Sequence, residues 1–325
     1  MDMMNEIDKI LLEELQSDFP LVSQPFKQTG ESCNISEEEV IERINQYKSN
    51  GLIRDLAPVI NANRIGYKNT LVAVQVDEKS IDEVASKINT HPGVSHNYLR
   101  DYKYNVWFTL AVKKEIDFET EIKNILNSTS VTNYLILPSI HTFKIAVNFR
   151  FTDKKYHHSN EQVRHPKTDI NLSDIEKQII NELQACLDII PQPWKAIADS
   201  LSIPESQLFD SINHLKEAGV IRRISVAMRH RNVGFTSNAM TCFNIPEDKI
   251  TEDGEKVAKY VQVTHCYHRQ AHPDWKYPLF AMIHARSKEE GDAIISSIAH
   301  DINCDDYIVL YSPKELKKER VKYIL

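Results

Sequence analysis

The chain has 325 residues, 42% hydrophobic and 26% charged, a balance that excludes wholesale disorder and leaves room for two or more domains with cores of their own. Its formal charge of −7 supplies no global field towards nucleic-acid phosphates, so such binding would need a local basic patch. No stretch nears the ~18 uninterrupted apolar residues of a membrane span, the acidic start MDMMNEIDKILLEELQ is unlike a signal peptide, and the five scattered cysteines contain no C-x-x-C pair, which together point to a cytoplasmic chain without a disulfide framework or a cysteine zinc site.

Along the chain, Ile7, Leu11 and Leu15 form one apolar helix face, a second short helix follows Pro25, and a third starts at Ser36 and Glu39 and stops at Gly51. LIRDLAPVI is β-rich, so residues 1–66 read as a winged helix-turn-helix, three helices and a hairpin. From 67 to 150 the types alternate. NTLVAVQV, VSHNYLR, YNVWFTLAV and VTNYLILP are strands, SIDEVASKINT and EIDFETEIKNILN are helices, and HTFKIAVNF can add an edge strand. This is the ferredoxin-like βαββαβ order. Residues 151–172 are polar and aperiodic, a linker in which His157 and His158 read as solvated rather than metal-binding.

The remainder repeats the beginning. IEKQIINELQ echoes IDKILLEELQ, QPWKA echoes QPFKQ, and Gly51 and Gly66 recur as Gly219 and Gly234 (219−51 and 234−66 are both 168). Residues 173–234 are therefore a second winged helix-turn-helix and 235–325 a second ferredoxin-like domain. The fold class is α+β, two tandem copies of a winged helix-turn-helix followed by a βαββαβ domain.

One stretch stands out in chemistry. VSHNYLRDYKYNVWFTL sets His96, Tyr98, Arg100, Tyr102 and Tyr104 at alternate positions, on one face of a strand. The second copy keeps V-[ST]-H-x-Y-x-R as VTHCYHR, with His265, Tyr267 and Arg269, which narrows the set to three residues per copy. The repetition fits a site, with shared packing at an interface between the halves as the competing reading. Cys266 and His268 point to the other side of that strand. The second copy also inserts QAHPDWK, four residues more than the first has (277−104 is 173, 269−100 is 169), so the two halves are not equivalent.

A helix-turn-helix joined through G-[LV]-I-R-x-[LI]…G-[YF] to a βαββαβ domain resembles the Lrp/AsnC superfamily. Within it, DFPLVSQPF, PGVSHNYLRDYKYNVWFTL and LPSIHTFKI are similar to the first subunit of siroheme decarboxylases, and IPQPWKAIA, GVIRRISVAMRHRNVGFTSNAM, VTHCYHR and HPDWKYPLFAMIHARS to the second. The resemblance implies a carboxy-lyase with both homologous subunits fused. It would remove two acetate carboxyl groups from siroheme, giving 12,18-didecarboxysiroheme for heme or heme d1 formation. It also implies an intramolecular pseudo-dimer, with further homo-oligomer formation open, and siroheme as the partner, with neither nucleic acid nor membrane. No separate cofactor or metal is required, since the iron tetrapyrrole is itself the substrate. Whether heme or didecarboxysiroheme is bound at rest stays open.

Residue chemistry suits that expectation. A flat macrocycle fringed by carboxylates needs apolar walls and a cationic rim. Arg100, Arg229, Arg231 and Arg269 are candidate clamps and Trp107 and Trp275 candidate walls, with Phe108, Phe280 and Trp107 also reading as core. His272 and Lys276 add to the basic set, whereas Arg222 and Arg223 read as exposed or paired with acidic neighbours. Loss of carbon dioxide requires a proton donor, for which His96 and His265 are candidates, with Tyr98 and Tyr267 as relays. A histidine ligating the iron is the other reading.

The alternative function is an Lrp/AsnC-type DNA-binding transcriptional regulator sensing a tetrapyrrole or amino acid. It needs a basic recognition helix, yet the two equivalents begin SEEEVIERINQYK and SIPESQLFDSINHLK, with carboxylates where phosphates would lie.

Overall fold

The computed structural model describes residues 4–145, 170–228 and 237–325. Arg229, Arg231 and residues 151–169 of the expected linker, with His157 and His158, lie outside the described residues.

Each copy begins with three helices set by the same local devices. Helix α1 (Glu6–Gln16) starts at a reciprocal capping box of Asn5 and Asp8, and its counterpart α6 (Asp174–Gln184) at one of Ser173 and Glu176. Helices α2 (Pro25–Cys33) and α7 (Pro193–Ser200) start on proline, whose fixed φ and missing N–H suit a first helical turn. Helices α3 (Glu37–Ser49) and α8 (Glu205–Glu217) run out just before Gly51 and Gly219, whose φ of 69° and 70° are left-handed values that favour glycine. The six helices share one core, in which Leu11, Phe26 and Ile44 join Ile179, Trp194 and Leu215.

The expected wing hairpin takes a different form. Among the described residues each copy contributes a single strand, β1 (Ile53–Ile60) or β6 (Ile221–Met228), and the two pair antiparallel across the halves. In the first copy the chain leaves β1 through a 3-10 turn at Ala62–Arg64, so no return strand forms. The open edge finds its counterpart in the other copy, which satisfies backbone groups that would otherwise stay unpaired.

The remaining strands form one nine-stranded sheet. In the first copy β2 (Tyr67–Val74), α4 (Ile81–Thr90), β3 (Val94–Leu99), β4 (Val106–Lys113), α5 (Phe118–Leu126) and β5 (Tyr134–Ile145) follow the βαββαβ order. In the second, β7 (Ser237–Phe243), α9 (Ile250–Lys259), β8 (Val263–Arg269), β9 (Leu279–Ala285), α10 (Lys288–Asp301) and β10 (Tyr307–Tyr311) repeat it, and β11 (Lys314–Lys318) ends the sheet. The strand order is β10-β7-β9-β8-β5-β2-β4-β3-β11.

The halves exchange strands. β5 pairs with β2 through Thr70↔Pro138 and then, from Ser139 to Ile145, with β8 of the other copy. β11 returns the exchange by pairing with β3. Only Ser312 and Pro313 separate β10 from β11, the two ends of the strand order, so the sheet curls round on itself. Helices cover its outer face over two separate cores. The inner face encloses a third core drawn from both halves, with Trp107, Leu137, Trp275, Phe280 and Leu310. The exchanged end of β5 is gripped closely: a Cβ on Gly254 of α9 would lie 2.3 Å from the Phe143 ring, which would have to move.

Candidate active site

The two V-[ST]-H-x-Y-x-R motifs lie on β3 and β8. A register irregularity falls at each histidine, between Val94 and Asn97 against β4 and between Val263 and His265 against β9. Such bulges re-aim a side chain. Here Val94 and Val263 stay in the helix-covered cores while His96 and His265 turn to the opposite face. A neighbouring hydroxyl holds each imidazole: Ser95 Oγ lies 2.8 Å from His96 Nδ1, and Thr264 Oγ1 lies 3.1 Å from His265 Nδ1. Nε2 is then the ring nitrogen left for a substrate.

Each histidine begins a ladder. The His96 and Tyr98 rings are 6.3 Å apart and those of His265 and Tyr267 6.0 Å. The Arg100 guanidinium lies 5.3 Å from the Tyr98 ring, and that of Arg269 lies 4.8 Å from the Tyr267 ring. At the far end the arginines cross between the halves. Arg100 Nη1 donates to Leu310 O at 2.8 Å and Arg269 Nη1 to Leu137 O at 2.7 Å, the same bond in each direction. Both arginines are buried, and burial lowers both to about 10. They already join the halves, so a substrate reaching them would meet donors partly engaged.

The two histidines share charged surroundings: His265 is one of the causes that lower His96, and Lys318 acts on both. Burial first, then Lys318, Arg54 and His265, push His96 down to about 3. Burial first, then Arg223, Arg269, Lys318 and Lys144, push His265 down to about 4. Arg54 of β1 and Arg222 and Arg223 of β6 bring the cross-copy ribbon to the site, Arg222 acting on Tyr267. Arg222 and Arg223, expected to be exposed or paired, are half-buried, and Arg223 Nε donates to Ser225 Oγ at 3.1 Å. The ribbon is asymmetric: Arg54 Nε binds Asp55 at 3.0 Å, whereas the equivalent of Asp55 in the second copy is Arg223 (223−55 is 168, the repeat offset).

Other expected site residues fall elsewhere. Trp107 and Trp275 lie 1% and 2% exposed in the inner core, their rings 5.2 Å apart, and donate to Tyr104 O and Tyr277 O. Phe108 packs under the helices, Phe280 in the inner core, and Tyr104 is buried there too. His268 faces away towards Glu247, and Lys276 pairs with Asp306. A groove of about 800 Å³ opens beyond the end of β3, lined by Arg100, Tyr102, Lys288 and Tyr311 among others, and neither motif histidine lines it. Sequence reasoning missed Arg54, Lys144, Lys318 and the two hydroxyls; Ser95 and Thr264 were legible as the [ST] of the repeated motif.

The AsnC-like ligand binding domain matches residues 64–144 and 232–317, and the siroheme decarboxylase NirDL-like HTH domain matches 8–54 and 176–222. Fold and family matches thus define a tandem protein of the AsnC-like class, with two helix-turn-helix and two ligand-binding units. The siroheme decarboxylase of Hydrogenobacter thermophilus is 35% identical over 98% of this chain and 95% of its own. The crystal structure of the siroheme decarboxylase NirDL in co-complex with an iron-uroporphyrin III analogue superposes with a TM-score of 0.74 at 33% identity, covering 98% of this chain and 94% of that one. The siroheme decarboxylase beta subunit of Methanosarcina barkeri, 35% identical, aligns with 48% of this chain and 98% of its own. The chain belongs to the siroheme decarboxylase family.

Proposed function

We propose that this chain is a siroheme decarboxylase, a carboxy-lyase that converts two acetate side chains of siroheme to methyl groups and so feeds heme or heme d1 formation. The observation that carries the reading is the full-length kinship together with two His–Tyr–Arg ladders that share cationic neighbours. Each event breaks the bond between the acetate methylene and its carboxylate. Carbon dioxide leaves, the electron pair passes into the conjugated ring, and one proton adds to the methylene carbon. The step is redox-neutral, and the tetrapyrrole itself accepts the electrons, so we assign no separate cofactor.

In this reading His96 and His265 deliver the protons, and Tyr98 and Tyr267 order and relay them. Buried beside cations, both imidazoles are neutral before substrate arrives. A polycarboxylate sets anions against Lys318, Arg54 and Arg223, which relieves the repulsion of an imidazolium and favours its formation. Protonation would then follow binding. Retained carboxylates take the cationic contacts, since a tight ion pair on a departing carboxylate would stabilise the ground state. The helix-turn-helix units act as scaffold: they hold the β1–β6 ribbon near the histidines, and the first turn of α3 carries Glu37, Glu38 and Glu39, which suit the helix dipole and repel phosphate. No helix among the described residues is long and apolar enough to cross a membrane.

The test is anaerobic incubation with siroheme and mass spectrometry of the tetrapyrrole, with loss of two carboxyl groups expected. His96→Ala and His265→Ala should each slow turnover at least about tenfold, some 1.4 kcal/mol of barrier. An unchanged substrate mass with the wild-type chain refutes the reading, and full activity in both variants refutes the proton-donor assignment.

A further inference from the structure

The exchanged strands place different residues beside the two histidines. In the antiparallel pair β11–β3, Lys318 is the register partner of His96. In the equivalent pair β5–β8, the partner of His265 is Ile145. These positions correspond, as 318−145 and 317−144 are both 173. The preceding lysines behave alike: Lys144 donates to Tyr260 O and Lys317 to Asn89 O, each on the helix side of the sheet. Directly opposed residues in an antiparallel pair share a face with Cβ atoms about 5 Å apart. Lys318 therefore stands on the same face as His96, where the other half offers an aliphatic side chain.

We infer that Lys318 is a specificity-determining residue that binds a carboxylate retained in the product and fixes which edge of the macrocycle lies against His96. This rests on the function proposed above. Strand register places Lys318 directly opposite that imidazole, and Arg54, the other cation acting on His96, binds Asp55. His265 feels Arg223 of the β6 ribbon first among its cations, then Arg269, Lys318 and Lys144, and its partner directly across the strand is the aliphatic Ile145. An unsymmetrical macrocycle would then bind in one orientation. The backbone supports the placement: Glu319 N donates to Ser95 O, and Arg320 binds both Asp55 and Pro58 O, which holds the end of β11 under the ribbon.

The test is an anaerobic absorbance titration of the full chain with iron uroporphyrin III, comparing wild type, Lys318→Met and Lys318→Arg, with siroheme turnover measured alongside. Removing a charged hydrogen-bond donor should weaken Kd about tenfold in Lys318→Met, with KM rising in step, while Lys318→Arg keeps Kd within about threefold of wild type. A Kd unchanged in Lys318→Met overturns the inference. So does equal weakening in both variants, which would mark a structural role. If wild type leaves siroheme unaltered, the function reading fails by itself, and the titration still decides whether Lys318 binds carboxylate.

Discussion

Binding of a polycarboxylate macrocycle should draw protons into the site. In the free protein His265 sits at about 4 and His96 at about 3, so at pH 6 about 1% of His265 and about 0.1% of His96 carry a proton. Burial is the largest cause of both shifts and is already in place, so a ligand adds little further desolvation. Its carboxylates act with the opposite sign. An anion near an imidazolium raises its pKa by about one to three units, and the same anions offset Lys318, Arg54 and Arg223. A rise of one to two units takes His265 to about 5–6 and gives roughly 0.1–0.5 proton taken up at pH 6, with His96 adding less. Isothermal titration with iron uroporphyrin III at pH 6, in two buffers of different ionisation enthalpy, reads the number directly. Ligand carboxyl groups that ionise beside the cations release protons to the buffer and contribute the other sign, so the decisive quantity is the difference between wild type and His265→Ala. A difference of zero throughout pH 5–7 would refute the idea that substrate binding charges the imidazole.

The same shifts act on stability. Both histidines have folded pKa values below the unfolded value of 6.5, so the unfolded chain takes up their protons first. Stability should fall as pH drops from 6.5 towards 4, by roughly 2 kcal/mol per histidine at pH 4.5, and urea titrations of His96→Ala and His265→Ala should show a shallower loss. Trp275→Ala opens the inner core next to Trp107 and should lower stability by about 3–5 kcal/mol, seen as a reduced Tm; a variant as stable as wild type that fails to bind tetrapyrrole would restore Trp275 to the substrate wall. Arg320→Met removes a bond to a buried carboxylate and one to Pro58 O, with an expected loss of about 2 kcal/mol in chemical denaturation.

Much of the architecture is written locally. Apolar residues every fourth position, capping residues at Asn5 and Ser173, and glycines at 51 and 219 each act within a few residues, so the helices are legible in a single chain. The repeat discloses two copies, and alternation on VSHNYLR and VTHCYHR puts His, Tyr and Arg on one face because strand periodicity is two. Tertiary structure alone decides the neighbours. Periodicity names a face of a strand and leaves its pairing partner open, and pairings between copies span more than a hundred residues of chain. Thus the ribbon of β1 with β6, the crossing bonds of Arg100 and Arg269, and the burial of Trp107 against Trp275 arise only when the halves meet. KELKK has no apolar alternation to mark it as a strand; it becomes β11 because β3 offers an open edge, and that pairing puts Lys318 beside His96 and leaves Ile145 beside His265.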